Sequence, residues 1–169
     1  GSYETPYHIH RENVSPCGIR AHFIPEGPLL SEKAYVKDTH MLAGFSEKDI
    51  TPEPGILKIG MLKRITTESV SDPLYARAAL FKNNADYVGI IQLDTLSIRA
   101  TETRRIRDRI VAATGIKGDR IMVCATHNHA GPAVANAGLC ERDDVYLDFL
   151  VERACAAFQE AANNLQEAE

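Results

Sequence analysis

The sequence predicts an α/β domain, a mixed sheet with helices packed on it in the order strand, hairpin, helix, strand, helix. Three observations carry that prediction. Residues 121–125, Ile-Met-Val-Cys-Ala, are a short apolar run entered from Gly118-Asp119, the pattern of a buried strand. Residues 74–81 and 87–93 are two further strand-like runs, separated by Asn83-Asn84-Ala85-Asp86, which is good hairpin-turn chemistry. Two longer stretches, 102–114 and 145–165, repeat apolar residues at three-to-four spacing, as a helix does. With 169 residues, 44% hydrophobic and 25% charged, the chain is able to bury one core.

Composition excludes several classes of function. The net charge of −4 gives no electrostatic reason to expect nucleic acid or an anionic membrane as partner. No apolar run approaches the roughly 20 residues needed to span a bilayer, and no secretory leader is visible, so the sequence describes a soluble protein and leaves its compartment open. Cys17, Cys124, Cys140 and Cys155 lack the C-x-x-C spacing of zinc ribbons and thioredoxin-like sites. Cys124 in an apolar strand and Cys155 on the inner face of a helix read as small buried thiols.

Taken in order, residues 1–40 carry Pro6, Pro16, Pro25 and Pro28 with Gly18 and Gly27, which predicts strands and turns rather than long helix. They form an extension of unclear origin, set apart from a domain over 41–169. Residues 42–45 are a short strand, and Thr51-Pro52-Glu53-Pro54-Gly55 is an irregular turn. Residues 56–72 are loop-rich. The 74–81 and 87–93 strands pair antiparallel. Asp94 follows the second of them directly. It either accepts the second ring N–H of a ligating histidine or, more simply, Asp94 or Thr95 caps the following turn.

The 102–114 helix has Ile106, Ile110, Val111 and Ala113 on its apolar side. Its run of arginines, interrupted by Glu102 and Asp108, is a solvated face rather than a phosphate or nucleic-acid patch. Gly115 stops the helix. The 121–125 strand then completes a strand-helix-strand crossover with the helix on one sheet face. Residues 133–143, rich in alanine, glycine and charge, read as a mobile loop. Asp143 or Asp144 caps a last, structural helix.

His127 and His129 stand at the carboxyl end of the 121–125 strand, where open α/β sheets place ligand-binding groups. In an extended segment, residues i and i+2 point the same way, so both imidazoles face one cleft. Such a pair divides the work of metal ligand and proton carrier. The bland alternative is two solvated loop histidines. Gly131-Pro132 ends regular structure beside them. No nucleophile elbow, Walker loop or dinucleotide fingerprint competes.

Residues 125–132, Ala-Thr-His-Asn-His-Ala-Gly-Pro, resemble the ATHTHSGP motif of the neutral/alkaline (non-lysosomal) ceramidases. Residues 43–52, ending Asp49-Ile50-Thr51-Pro52, are similar to that family's opening strand. Asp72-Pro73-Leu74-Tyr75-Ala76-Arg77-Ala78, Asp94-Thr95-Leu96 and the helix around Tyr146-Leu147-Asp148-Phe149-Leu150 fall in the family's order, so the resemblance covers about residues 42–166. It implies zinc-dependent hydrolysis of an N-acyl amide in sphingolipid metabolism, with Zn2+ as cofactor and a lipid or small amide as substrate. It further implies His127 as metal ligand and His129 as the histidine meeting substrate at the reacting centre. Asn128 replaces the family's usual threonine and Ala130 its usual serine.

The family's other zinc ligands, a histidine, a glutamate and a tyrosine, lie downstream of this motif. The resemblance therefore implies the amino-terminal portion of a catalytic domain, completed by a carboxyl-terminal portion or by oligomerisation. If the chain is active alone, His8 or His10 supplies a missing metal ligand; otherwise both, like His22 and His40, are surface or turn residues. Two alternatives stand beside amidase chemistry: a catalytically silent binding or interaction module derived from the fold, and a metal-dependent hydrolase of another ester or amide.

Overall fold

The computed structural model describes residues 40–61 and 63–168, which fall in a compact unit spanning Asp38–Glu169. The expected extension, with His8, His10, Cys17 and His22, lies outside the described residues. A five-stranded mixed sheet forms the centre, with strand order β6-β5-β4-β1-β7. Its strands are β1 (Met41–Asp49), β4 (Tyr75–Asn83), β5 (Asp86–Leu93), β6 (Ile121–Ala125) and β7 (Gln166–Ala168). β5 and β6 pair parallel and every other neighbour pairs antiparallel. The helices are α1 (Ala100–Thr114) and α2 (Asp144–Asn163), and a separate two-stranded ribbon joins β2 (Leu57–Lys58) to β3 (Ile65–Thr66). This is the predicted α/β architecture, with the β5-α1-β6 crossover in place.

Strand alternation divides the sheet into two faces. On one, Gly44, Leu80, Gly89 and Ile121 form a row, and Ser46, Ala78, Ile91 and Val123 the next. α2 lies on this face, as its contacts show: Ser46 Oγ donates to the Ala157 carbonyl and Lys48 pairs with Glu160 at 2.8 Å. A side chain at Gly44 would sit 2.0 Å from the Ala161 carbonyl oxygen, so helix and strand touch backbone to backbone there. The core between the layers holds Leu80, Ile91, Leu93, Ile106, Ile110, Leu147, Leu150 and Phe158, all fully buried. Each contributes about 1.5–3 kcal/mol by leaving water. Among the described residues, no element covers the opposite face, where Phe45 is 59% and Met122 52% exposed.

The structure alters several sequence expectations. β1 runs to Asp49 rather than ending at Phe45, because Ser46 and Lys48 find partners on α2 while Glu47 and Asp49 face water. Residues 56–72 are loop-rich as expected, with the two-residue strands β2 and β3 pairing within them. On α1, Ile106 and Ile110 are buried as expected, but Val111 and Ala113 are exposed and Glu102 is buried. Positions 102, 106 and 110 lie one above the other at i, i+4 on a helix, and that stripe packs against α2. Arg142 approaches the Glu102 carboxylate, with 3.5 Å between Nη1 and Oε1.

Residues 133–143 are not a loop standing free beside the histidines. Gly131 to Ala135 and Cys140 are buried, and Asp143 N donates to the Ala133 carbonyl. Their side chains are small enough to pack and their backbone groups find partners, which composition alone does not reveal. Asp143 caps α2, accepting from Tyr146 N at 2.9 Å. No helix among the described residues is long and apolar enough to cross a membrane.

Candidate functional site

β6 ends at Ala125, and the chain leaves it beside the end of β5. Thr126 N donates to the Leu93 carbonyl and Asn128 N to the Thr95 carbonyl. Between those bonds His127 adopts φ +65°, the left-handed region. The two histidines therefore do not reach one point by strand alternation, as the i, i+2 reading expected. A local kink brings them together, and Asn128 Oδ1 closes the following turn by accepting from Ala130 N at 2.7 Å.

The rings stand edge to face, with centroids 4.8 Å apart and planes at 78°. His127 Nδ1 lies 2.9 Å from the Leu96 carbonyl oxygen, and His129 Nδ1 lies 2.9 Å from that of Gly60. A carbonyl only accepts, so both Nδ1 atoms carry hydrogen. In the neutral rings both Nε2 atoms are then bare lone pairs, and they face each other at 3.2 Å. Two lone pairs at that distance repel unless a positive centre serves both, either a shared proton or a metal ion. Zinc–nitrogen bonds of about 2.0–2.1 Å in a tetrahedron put two ligand nitrogens about 3.3 Å apart, so the spacing suits a metal. Carbonyls behind the outer nitrogens are also the usual support of metal-binding imidazoles. The described residues thus fit a zinc ion held by His127, with His129 Nε2 next to it. Among them, no group of three or more His, Cys, Asp or Glu side chains converges on a metal position.

Gly60 was not singled out by sequence reasoning and is central to this arrangement. It sits at φ +97°, and a Cβ there would lie 2.6 Å from His129 Nδ1. Only glycine lets the ring lie against the backbone and bond its carbonyl. The ribbon is fixed to the motif: Ile59 N donates to the Gly131 carbonyl, Ala133 N to that of Leu57, and Cys140 Sγ to that of Lys58. The one available sequence cue is a glycine beside a short apolar run, which marks close backbone approach.

The Asp94 carboxylate neither orients a histidine nor caps the following turn, within which Thr95 Oγ1 donates to the Ser97 carbonyl at 3.2 Å. It accepts from Tyr75 N at 3.0 Å, Arg77 Nη1 at 2.8 Å and Gln92 Nε2 at 2.9 Å, tying β4 to the end of β5. The histidines do not need it, because backbone carbonyls occupy that position. His40 lies beside Glu167 at the start of β1, and His8 and His10 are outside the described residues. A cleft of about 600 Å3 opens beside the motif, bordered by Asn128, Ala130 and Pro132 on one side and by Lys58, Ile65 and Leu74 on the other.

No family model and no curated protein matches the chain. Solved structures do. The chain is similar to neutral ceramidase from Pseudomonas aeruginosa, with 21% identity and a TM-score of 0.69 over 78% of this chain and 23% of that one. It is similar also to a ceramidase complexed with C2, with 21% identity and a TM-score of 0.65 over 77% of this chain and 22% of the other. The fold is therefore ceramidase-like, and the chain spans about a quarter of the length of the ceramidases it matches.

Proposed function

We propose that this chain forms part of a zinc-dependent hydrolase of N-acyl amides, ceramidase-like in activity, acting on a lipid or other small amide. One observation carries the reading: two Nε2 atoms face each other at 3.2 Å while both Nδ1 atoms are held by carbonyls. In this reading His127 holds the ion and His129 meets the acyl group. When bound, zinc supplies Lewis acidity that polarises an acyl carbonyl and lowers the pKa of water. The chain's own groups do the rest. The Leu96 and Gly60 carbonyls fix each tautomer and ring orientation, so that Nε2 is the working atom on both rings. His129 Nε2, whose lone pair is bare in the neutral ring, accepts a proton during the reaction and, once it carries that proton, donates to the developing oxyanion. The cleft beside Asn128 and Ala130 receives the substrate.

The ceramidase-like domain occupies 41–169 and residues 1–40 are an extension. The further donors come from a carboxyl-terminal portion or a second copy of the chain, with His8 and His10 the alternative within it. The same donor pair would serve another amide or an ester.

A second reading, a catalytically silent binding module, is favoured by the want of a third donor among the described residues. Zinc analysis and an amidase assay on the purified chain separate the two. Stoichiometric zinc, lost together with hydrolysis in His127→Ala, is the expected result. Equal zinc content in wild type and His127→Ala would sink the metal assignment, and zinc without hydrolysis of any N-acyl amide would leave the silent module.

A further inference from the structure

At the end of β5 opposite the histidines, the β4-β5 hairpin, the segment after α1 and the end of α2 enclose a second cavity of about 380 Å3. That volume lies in the lower range of small-molecule sites. Its floor is apolar, with Leu80 fully buried, Ile116 8% exposed and Leu165 packed against the core. Its rim is cationic. Lys117 and Arg120 both line it, both are exposed, and neither forms an ion pair among the described residues. Tyr87 lines one wall, with the Lys82 ammonium 5.4 Å from its ring centroid. Against these stands one carboxylate in the lining, the exposed Asp86. The helix end nearby is already satisfied: Gly115 N donates to the Val111 carbonyl and Thr114 Oγ1 to that of Ile110.

An apolar floor gains by covering hydrocarbon, and unpaired cations above it gain by meeting an anion. We propose that this cavity is a binding site for an amphipathic carboxylate of short or medium chain. The alkyl group lies on Leu80, Ile116 and Leu165, and the carboxylate sits between Lys117 and Arg120, where the guanidinium offers paired donors. The site is independent of the histidine pair and of any hydrolysis there.

Titration of octanoate into the full chain, followed by backbone amide shifts, tests the proposal. The expected result is saturable shifts at Tyr87, Gly115, Ile116 and Lys117. The double variant Lys117→Met/Arg120→Met, which changes only exposed side chains, should weaken binding about tenfold. Ala162→Phe, which fills the cavity from α2, should abolish it. Octyltrimethylammonium, of the same chain length and opposite charge, should leave these amides unmoved. No saturable shift with octanoate, equal binding of the ammonium probe, or undiminished affinity in the double variant would each overturn it.

Discussion

His127 adopts a left-handed backbone conformation that costs a non-glycine residue of order 1 kcal/mol, and the cost is borne where its ring must turn toward His129. Gly60 supplies the complementary feature, a backbone with no side chain against which the second ring rests. Gly60→Ala is expected to displace His129 and to destabilise the fold by about 1–3 kcal/mol through its positive φ. On the function proposed above, amide hydrolysis should fall about ten- to a hundredfold, the range for losing the support behind a working imidazole. An amidase assay measures the activity, and ring nitrogen shifts report the two histidines separately. Unchanged His129 shifts in the variant would show that the glycine is not what seats the ring. At this scale the sequence pointed to two histidines that the structure brings together. It did not disclose their partners, because Leu96 and Gly60 contribute main-chain carbonyls, and a carbonyl has no residue identity to recognise.

Individual elements followed their periodicity where burial is local. The hairpin between β4 and β5 turns through Asn84 at φ +53°, as asparagine at that position suggested, and α2 buries Leu147, Leu150, Val151, Ala154, Phe158 and Ala161 on one face. Elements departed from expectation where a distant partner intervenes. Glu102 is buried because Arg142 comes to it across 40 residues of sequence, and 133–143 packs because β2 lies alongside Gly131 and Ala133. α2 is joined to the residue just after β1 by a buried bond of the same kind, from Tyr146 Oη to the Ile50 carbonyl at 2.7 Å. Burial is the first cause that pushes the Tyr146 phenol well above its usual pKa, so it stays protonated and donates throughout the pH range of the native protein. Tyr146→Phe leaves that carbonyl unpaired and should cost about 1–3 kcal/mol. Urea unfolding checks this, and a loss below the experimental error would show that the carbonyl finds another donor.

Among the described residues, a single helical layer covers one sheet face and none covers the other, while β4 and β5 lie between paired neighbours. Amide hydrogen exchange should accordingly be slowest in β4, β5 and α2 and fastest in β7, a three-residue edge strand. Protection in β7 equal to that in β4 would contradict this layering. The ceramidase-like arrangement corresponds to about a quarter of the length of the ceramidase chains it resembles. The amino-acid sequence by itself established the order of the four longer strands and two helices, though not the short β2, β3 and β7, and it pointed to the pair His127 and His129, because hydrophobic period, turn chemistry and residue type are properties of neighbouring positions. Tertiary structure alone decided how that pair is held. The supporting carbonyls lie 31 and 69 residues away along the chain, and only packing of β2 and the β5 end around the motif brings them within hydrogen-bond distance.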